Sequence, residues 1–556
     1  MTQPEEMKTT AYVYGVEKLN GHDAWALFKA CAAGDMAKVK ALLAKDRRLV
    51  NAQFWYQFPI HMAVRAGHAE IVQVLLDRGA DPGQSRFTYN SWDKLLLCAN
   101  ERGHRQIESI LRRAMIRRFN YAPDFEGLKA AIIGRDGRKI DAVLRRQPSL
   151  VQSSDALGNN ALHWSVMTRQ LGLIERFAAL GTPIDAERAD GQTPVLLAVN
   201  GATDYWYRAT RGRSHPSLRN TSVLVGSLLA RGAEYTISVA AAVGDQERVE
   251  QLLKKDGGLA GRLDSARVSP LSYAAREGHL HIVRLLLEHG AEPNTPEEGA
   301  SEGRALFEAC CGNHLQVAQL LLEHGANPNA SVDSSGCCLT IGEVYHGAQA
   351  KPLQQLLRSH GAYTPPYRMS VAEMKQAIRA GHEVIHHAEF LGNLIGKCNA
   401  ELLELYLDAD STVPKRLHGW NGVIYPRSPA LVRRLLARGL DPNRPDWLGK
   451  TGLHACAENG DRAVAAVFLD AGADINARGL EFNETPLAAA VRGARRGKKE
   501  DPSQKAQRRR RMVEFLLKRG AATHLPGDEP WATPLAWARK LNLPDIEALL
   551  IKHGAT

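Results

Sequence analysis

Leu285 to Asn294 and Leu320 to Asn329 are nearly the same ten residues, thirty-five positions apart. The Gly-Ala punctuation recurs elsewhere: Gly325 to Gly361 is 36, Gly439 to Gly472 is 33, Gly520 to Gly554 is 34, and Gly79 to Gly181 is 102, three periods of 34. A period of that size marks a stacked array, in which no unit can bury its apolar face alone and each neighbour supplies the missing wall. The chain is predicted to be a solenoid.

Within each unit the second half is an apolar helix ending at the glycine, as in Ile71 to Leu76, Ile282 to Leu287 and Met512 to Leu517. Glycine there takes the left-handed conformation that other residues resist. First helices open at Thr193-Pro194, Ser269-Pro270, Thr485-Pro486 and Thr533-Pro534. The hydroxyl caps a helix whose first residue is proline. Pro270 to His279 then gives a short helix with small residues on its packing face, and short polar stretches between units suit turns or fingers.

The pattern resembles the ankyrin repeat family. Its Thr-Pro-Leu-His, Gly-His and Gly-Ala-Asp-x-Asn elements stand here as Ile60-His61, Leu162-His163, Leu453-His454, Gly67-His68, Gly278-His279 and Gly472-Ala473-Asp474-Ile475-Asn476. The match is closest near 55–82, 268–329 and 449–476; it thins near 91–150, where Arg112-Arg113-Ala114 replaces Gly-Ala, and near 337–440. About fifteen units from residue 23 to 556 follow at the repeat spacing. The resemblance implies an all-α ankyrin-type solenoid of stacked helix-turn-helix repeats with short β-turn fingers, and a role in binding proteins rather than in chemistry. Histidines at the Leu-His position, His61, His163 and His454, are expected to bridge backbone groups between units.

With 44% hydrophobic but only 6% aromatic residues, the 556-residue chain builds its core from Ala, Leu and Val, as close-packed short helices require. No secretory apolar segment follows Met1 and no run approaches bilayer length, so a cytoplasmic location is expected. Eight cysteines without a Cys-x-x-Cys suit neither a disulfide scaffold nor a zinc ribbon. Cys31, Cys98, Cys310 and Cys456 fall at small-residue positions of first helices and read as buried apolar groups. The doublets Cys310-Cys311 and Cys337-Cys338, near His314, lack ligand spacing. No cofactor is expected.

Function is better sought where the period fails. Gly181 to Gly232 is 51 and Gly472 to Gly520 is 48, both too long, and both surpluses fall between the two helices of a unit. Residues 492–511 hold ten Lys or Arg against two acids, and 201–222 four Arg against one; +8 and +3 equal the chain's formal +11. The remainder, though neutral in sum, is Arg-rich at 102–146. Arg508, Arg509, Arg510 and Arg511 fall just before or at the start of a helix, where positive charge opposes the macrodipole. Their repulsion favours a solvated, mobile loop or a dock for an acidic protein or phosphate-rich ligand.

The other insertion sets Tyr205, Trp206 and Tyr207 beside Arg208, Arg211 and Arg213. These residue types dominate interface hot spots and also stack nucleic-acid bases. More aromatics fall in fingers: Trp55-Tyr56, Phe87, Tyr89, Trp447, Phe482 and Trp531. They mark either a contact surface or packing onto the next unit.

His382-Glu383-Val384-Ile385-His386 is an H-E-x-x-H, with Glu404 and Asp408 downstream as carboxylate candidates for a zinc hydrolase. Against it, Gly381-His382 mimics the inter-helix Gly-His, and no separate lobe can form a substrate cleft. The expected organisation is an irregular segment 1–22, an array 23–365 with its insertion at 201–222, an irregular repeat with an extra helix at 366–415, and an array 416–556 with its basic insertion at 492–511. The favoured function is a non-enzymatic protein-interaction scaffold using a concave finger and helix surface plus basic loops, without membrane contact. A polyanion or nucleic-acid binder is the alternative, and a zinc hydrolase the third.

Overall fold

A hydroxyl before a proline sets the start of a first helix. The Ser269 Oγ accepts from the Ser272 N–H at 3.1 Å ahead of helix Pro270–Glu277. Thr485 and Thr533 do the same for helices Pro486–Arg492 and Pro534–Lys540, at 3.3 and 3.1 Å. In this computed structural model every residue is described except 1–2, 5, 9, 14–15, 55–56, 84–90, 201–221, 333–334, 383, 385–390, 392–393, 395–399, 413–427, 447 and 494–500.

The chain forms two units: Thr9–Tyr363, and Thr364–Thr556 together with Met1–Lys8. Both are built of paired antiparallel helices, an all-α repeat architecture. Strands are short. Thr10–Val13 pairs antiparallel with Glu17–Asn20 and with Ala52–Gln53, so a hairpin stands where irregular chain was expected. In the region expected to be an irregular repeat, helices Val371–Arg379 and Ala400–Ala409 are described.

Two side-chain ladders tie neighbouring repeats together. One uses finger asparagines. Asn51, Asn294 and Asn329 donate to the carbonyls of Gly79, Gly325 and Gly361 in the following repeat, at 2.9, 2.8 and 3.2 Å. Their Oδ1 atoms accept the N–H of Asp81, Asn327 and Tyr363. The second ladder uses histidines, two of them in Gly-His pairs: the rings of His68, His279, His314 and His346 reach carbonyls of Ala32, Ala242, Arg276 and Cys311, at the preceding first helix's end, at 2.8 to 3.3 Å. At Gly278 both roles of glycine meet. Its φ is +79° and an added Cβ would lie 2.6 Å from the His314 ring. Only glycine admits this close approach.

Apolar burial supplies the third tie. Leu271, Val283, Leu286, Ala309, Leu321 and Leu353 belong to one continuous core in Thr9–Tyr363, and Leu162, Phe177, Leu197 and Leu228 to another. Helix Ile237–Val243 divides itself between the two, giving Ala240 and Ala241 to one and Val239 and Ala242 to the other.

Candidate functional site

That dividing helix is unusual in having no finger before it. Helix Ser222–Leu229 is followed by Gly232 at φ +91°, and Ile237–Val243 begins almost at once. The fingers on either side therefore meet across it: the Ser265 hydroxyl donates to the Gly191 carbonyl at 2.6 Å. A Cβ on Gly191 would collide with the Ser265 carbonyl at 1.9 Å, so the two backbones are in contact. Behind the meeting point lies a small cleft lined by Asp190, Gln192, Asn200, Ala266, Val268, Ser272, Tyr273, Arg276, Glu298, Arg304 and Glu308.

Its walls are charged and nearly all buried. On helix Pro270–Glu277, Arg276 reaches back past the fingerless repeat, donating to the Val199 carbonyl and the Asn200 Oδ1 at 3.0 Å each. Arg188 forms a bidentate pair with Asp190 at 2.8 and 2.7 Å. The guanidinium lowers the Asp190 pKa even though burial works against it. Arg304, also buried, lies 3.3 Å from both Glu297 and Glu308. Glu297 accepts from the hydroxyls of Ser269 and Ser272 at 2.6 Å each, while burial pushes its pKa up to about 8. Tyr273 donates to Asp264 at 2.8 Å, and burial raises that carboxyl to about 6. Isolated charges could not be buried here; pairing makes the arrangement possible.

A second polar network lies in Thr364–Thr556. Arg492 bonds the Glu484 carboxylate at 2.9 and 3.0 Å and Glu458 at 2.9 Å, and Lys450 lies 3.2 Å from Glu458. The Arg492 guanidinium also lies over the Phe482 ring, 4.3 Å from its centroid. Phe482 in turn meets the Trp537 edge at 6.2 Å, so this finger aromatic packs onto the next repeat.

The basic stretch differs from its expected form. Arg492 is buried at the end of a helix, and Pro502–Lys518 is one continuous helix capped by Asp501. Arg508, Arg509, Arg510 and Arg511 thus stand in its interior, beyond the first turn where the macrodipole acts. Arg508 donates to the Asn459 carbonyl and crowds Gly460, whose added Cβ would lie 2.7 Å from its side chain. It occupies the place of the Gly-His histidine. Arg509 reaches the Arg492 carbonyl at 3.3 Å, with its pKa lowered by burial and by Arg508. Arg510 pairs with Glu514 at 3.0 Å, and Arg511 is exposed.

Among the other expected site residues, Tyr205, Trp206, Tyr207, Arg208, Arg211, Arg213, Trp55 and Trp447 lie outside the described residues, as do Tyr56, Phe87 and Tyr89. Trp531 is half-buried in the turn before Thr533. Of the H-E-x-x-H, Glu383, Ile385 and His386 are outside the described residues too. Its carboxylate candidates have ionic partners: Arg434 lies 2.8 Å from Glu404, and Arg438 2.8 Å from Asp408. Among the described residues no group of three His, Cys, Asp or Glu is arranged to hold a metal, and no helix is long and apolar enough to cross a membrane.

His163 and His454 link adjacent repeats. Their Nδ1 atoms accept from the N–H of Asn160 and Thr451, and their Nε2 atoms donate to the carbonyls of Gln192 and Glu484 at 3.0 Å. Burial lowers their pKa values to about 3 and about 4. Cys31, Cys310 and Cys456 are buried, and Cys98 is half-buried. The cleft went unforeseen in the sequence. Its signal was the near-absence of residues between Gly232 and the next first helix.

Family comparison accords with this geometry. A model of ankyrin repeats matches residues 11–111 and 237–332, and a single ankyrin-repeat model matches 448–480. The chain is similar to palmitoyltransferase Hip14 of Drosophila melanogaster, 44% identical over 63 residues, 11% of this chain and 10% of that protein. It is 30% identical to neurogenic locus notch homolog protein 1 of Xenopus tropicalis over 164 residues, 29% of this chain and 6% of that protein. It is 25% identical to ankyrin repeat protein nuc-2 of Neurospora crassa over 251 residues, 42% of this chain and 21% of that protein. The chain thus spans no more than about a fifth of each of these relatives. Ankyrin repeats are generally protein-interaction modules, and proteins built of them are mostly non-enzymatic scaffolds. The helix pairs, the two ladders and these matches together identify the chain as an ankyrin repeat-containing protein.

Proposed function

We propose that the chain is a protein-interaction scaffold whose partner contacts the fingers and first helices of Thr9–Tyr363, centred on the charged cleft. One observation carries the reading: the cleft opens where a missing finger leaves buried charges beside a break in the repeat. Interfaces concentrate their energy where charge and aromatic area can be desolvated together. The insertion bearing Tyr205, Trp206, Tyr207, Arg208, Arg211 and Arg213 directly follows Asn200 in sequence and would extend that contact. Trp55, Trp447 and Trp531 remain separate candidates for partner contact.

A polyanion ligand has less support, because Arg508 and Arg509 hold backbone carbonyls, leaving Arg510 and Arg511 towards solvent. The test is affinity capture with the full chain, comparing Asn200→Arg and Glu277→Arg at the cleft edge with Arg146→Glu on helix Gly137–Arg146. A partner retained by Arg146→Glu and lost by the cleft-edge variants is expected. Equal retention by all three would refute the reading.

A further inference from the structure

We infer that the second helices Arg105–Phe119 and Gly137–Arg146 present a cationic face that docks an acidic segment of a protein partner. The inference goes beyond the contact proposed at the cleft and does not depend on it. Residues 105–146 hold eleven Lys or Arg against five Asp or Glu. Four of those acids are engaged: Glu108 by Arg112 at 2.8 Å, Glu126 by Lys129 at 3.0 Å, Asp141 by Arg176 at 2.6 Å, and Asp136 by the Lys139 N–H at 2.9 Å. The fifth, Asp124, precedes helix Phe125–Ile133. Arg113, Arg117, Arg138, Lys139, Arg145 and Arg146 are exposed, and among the described residues none of these six forms an ion pair. Elsewhere such cations tie one repeat to the next, as Arg231 does to Glu175 and Arg434 to Glu404, at 2.8 Å each.

Neither helix needs these cations in order to fold. Arg105–Phe119 runs for 15 residues, where Ala69–Asp77, Leu280–Glu288 and Leu315–Glu323 run for 9. The ankyrin-repeat match stops at residue 111, so Arg113, Ile116 and Arg117 lie in chain that the repeat pattern does not demand. In Gly137–Arg146 the last-turn Arg145 and Arg146 suit the macrodipole, but Arg138 and Lys139 in the first turn oppose it. An incoming carboxylate would be favoured by those two side chains and by the helix end alike. Helical spacing sets Arg138, Lys139, Arg145 and Arg146 around the exposed Ala142, opposite the buried Ile140 and Leu144. Arg113 and Arg117 stand one turn apart beside Ile116, which is 50% exposed. The helices also end side by side. Asn120 donates to the Gln152 carbonyl at 2.7 Å and Ser154 to the Phe119 carbonyl at 2.6 Å, just past the turn that follows Arg146.

The composition of the face selects its occupant. Five of the six cations are arginine, whose fork meets a carboxylate through two parallel hydrogen bonds. Ile116 and Ala142 offer apolar contact among them, which acidic residues interspersed with aliphatic ones would cover. Neither helix exposes an aromatic ring on which a nucleic-acid base could stack. Complementary charge would also speed encounter and exclude basic competitors.

The probe is the fluorescein-labelled decapeptide Gly-Glu-Glu-Leu-Glu-Glu-Leu-Glu-Glu-Gly, compared with the same peptide carrying Gln for every Glu. Fluorescence anisotropy with the full chain is expected to show the glutamate peptide bound and the glutamine peptide about tenfold weaker or more. Arg113→Gln with Arg117→Gln, and Arg145→Gln with Arg146→Gln, should each weaken the glutamate peptide about fivefold. Lys254→Gln with Lys255→Gln, exposed on helix Gln246–Lys255, should leave it unchanged, as should Arg510→Gln with Arg511→Gln. Equal binding of both peptides overturns the inference, and so does a loss confined to the Arg510 and Arg511 variant. A duplex DNA oligonucleotide that binds more tightly than the glutamate peptide, with the same dependence on Arg113, Arg117, Arg145 and Arg146, would make this a phosphate-binding face and overturn the protein assignment.

Discussion

The two buried ionic networks answer one problem in opposite ways. Near Arg492 two cations, Lys450 and Arg492, face two carboxylates, Glu458 and Glu484, at 2.9 to 3.2 Å, and the Phe482 ring lies under the guanidinium. Each of these four charges has a partner of opposite sign within 3.2 Å. Around Arg304 two carboxyls, Glu297 and Glu308, share one guanidinium, and a cleft remains beside them. The structural difference is one finger. Where every repeat carries one, as at Leu448 to Leu480, successive fingers bond directly and fill the space. Where helix Ile237–Val243 lacks one, its neighbours close over the gap and the space behind them stays open. The closed network reads as stability, and the cleft is where partner contact is proposed.

Several measurements would break or sharpen that contrast. Arg492→Ala leaves Glu458 and Glu484 buried without their cation, and a loss of about 3–5 kcal/mol is expected from urea unfolding followed by circular dichroism. A loss under about 1 kcal/mol would mean that the network is solvated. Leu321→Ala, in the buried core of Thr9–Tyr363, is expected to cost about 2–5 kcal/mol through cavity formation, and crystallography or a cavity-binding gas would locate the void.

Acid should weaken both regions through one residue each. His163 and His454 titrate near 3 and 4 when folded, below the ordinary value of 6.5, so the unfolded chain binds more protons between those limits. Their stabilising contribution is complete above about 6.5 and is lost as pH falls towards the folded values. Between pH 7 and 5 a loss of about 2 kcal/mol per histidine is expected. Urea midpoints of His163→Gln and His454→Gln should depend less steeply on pH than the parent, and equal slopes would contradict neutral bridging. Smallest is Arg508→Ala, which removes one inter-repeat hydrogen bond and should cost about 1 kcal/mol by the same urea measurement.

Much of this was legible in the sequence because it repeats. The Thr-Pro caps, the Gly-His pairs and the Leu-His bridges are local rules, and the structure places their residues at helix starts, helix ends and repeat boundaries. Arg492 and Arg508 were not legible as structural groups. A run of arginines reads as solvated charge, and only the fold shows that one carbonyl at Asn459 needs a donor and that Glu458 and Glu484 need a cation. The cleft was hidden for a related reason. It arises from residues that are missing, and Arg188 and Arg304 carry no periodic signal. Excising 492–511, the obvious probe of the basic stretch, would remove a buried ionic centre along with helical turns.

Arg508 substituting for a histidine has a practical consequence. The inter-repeat latch sits after the extra residues, so their number does not alter where the second helix docks. Residues 494–500, flanked by Gly493 and by the capping Asp501, should therefore accept a foreign epitope or fluorophore without shifting the register downstream.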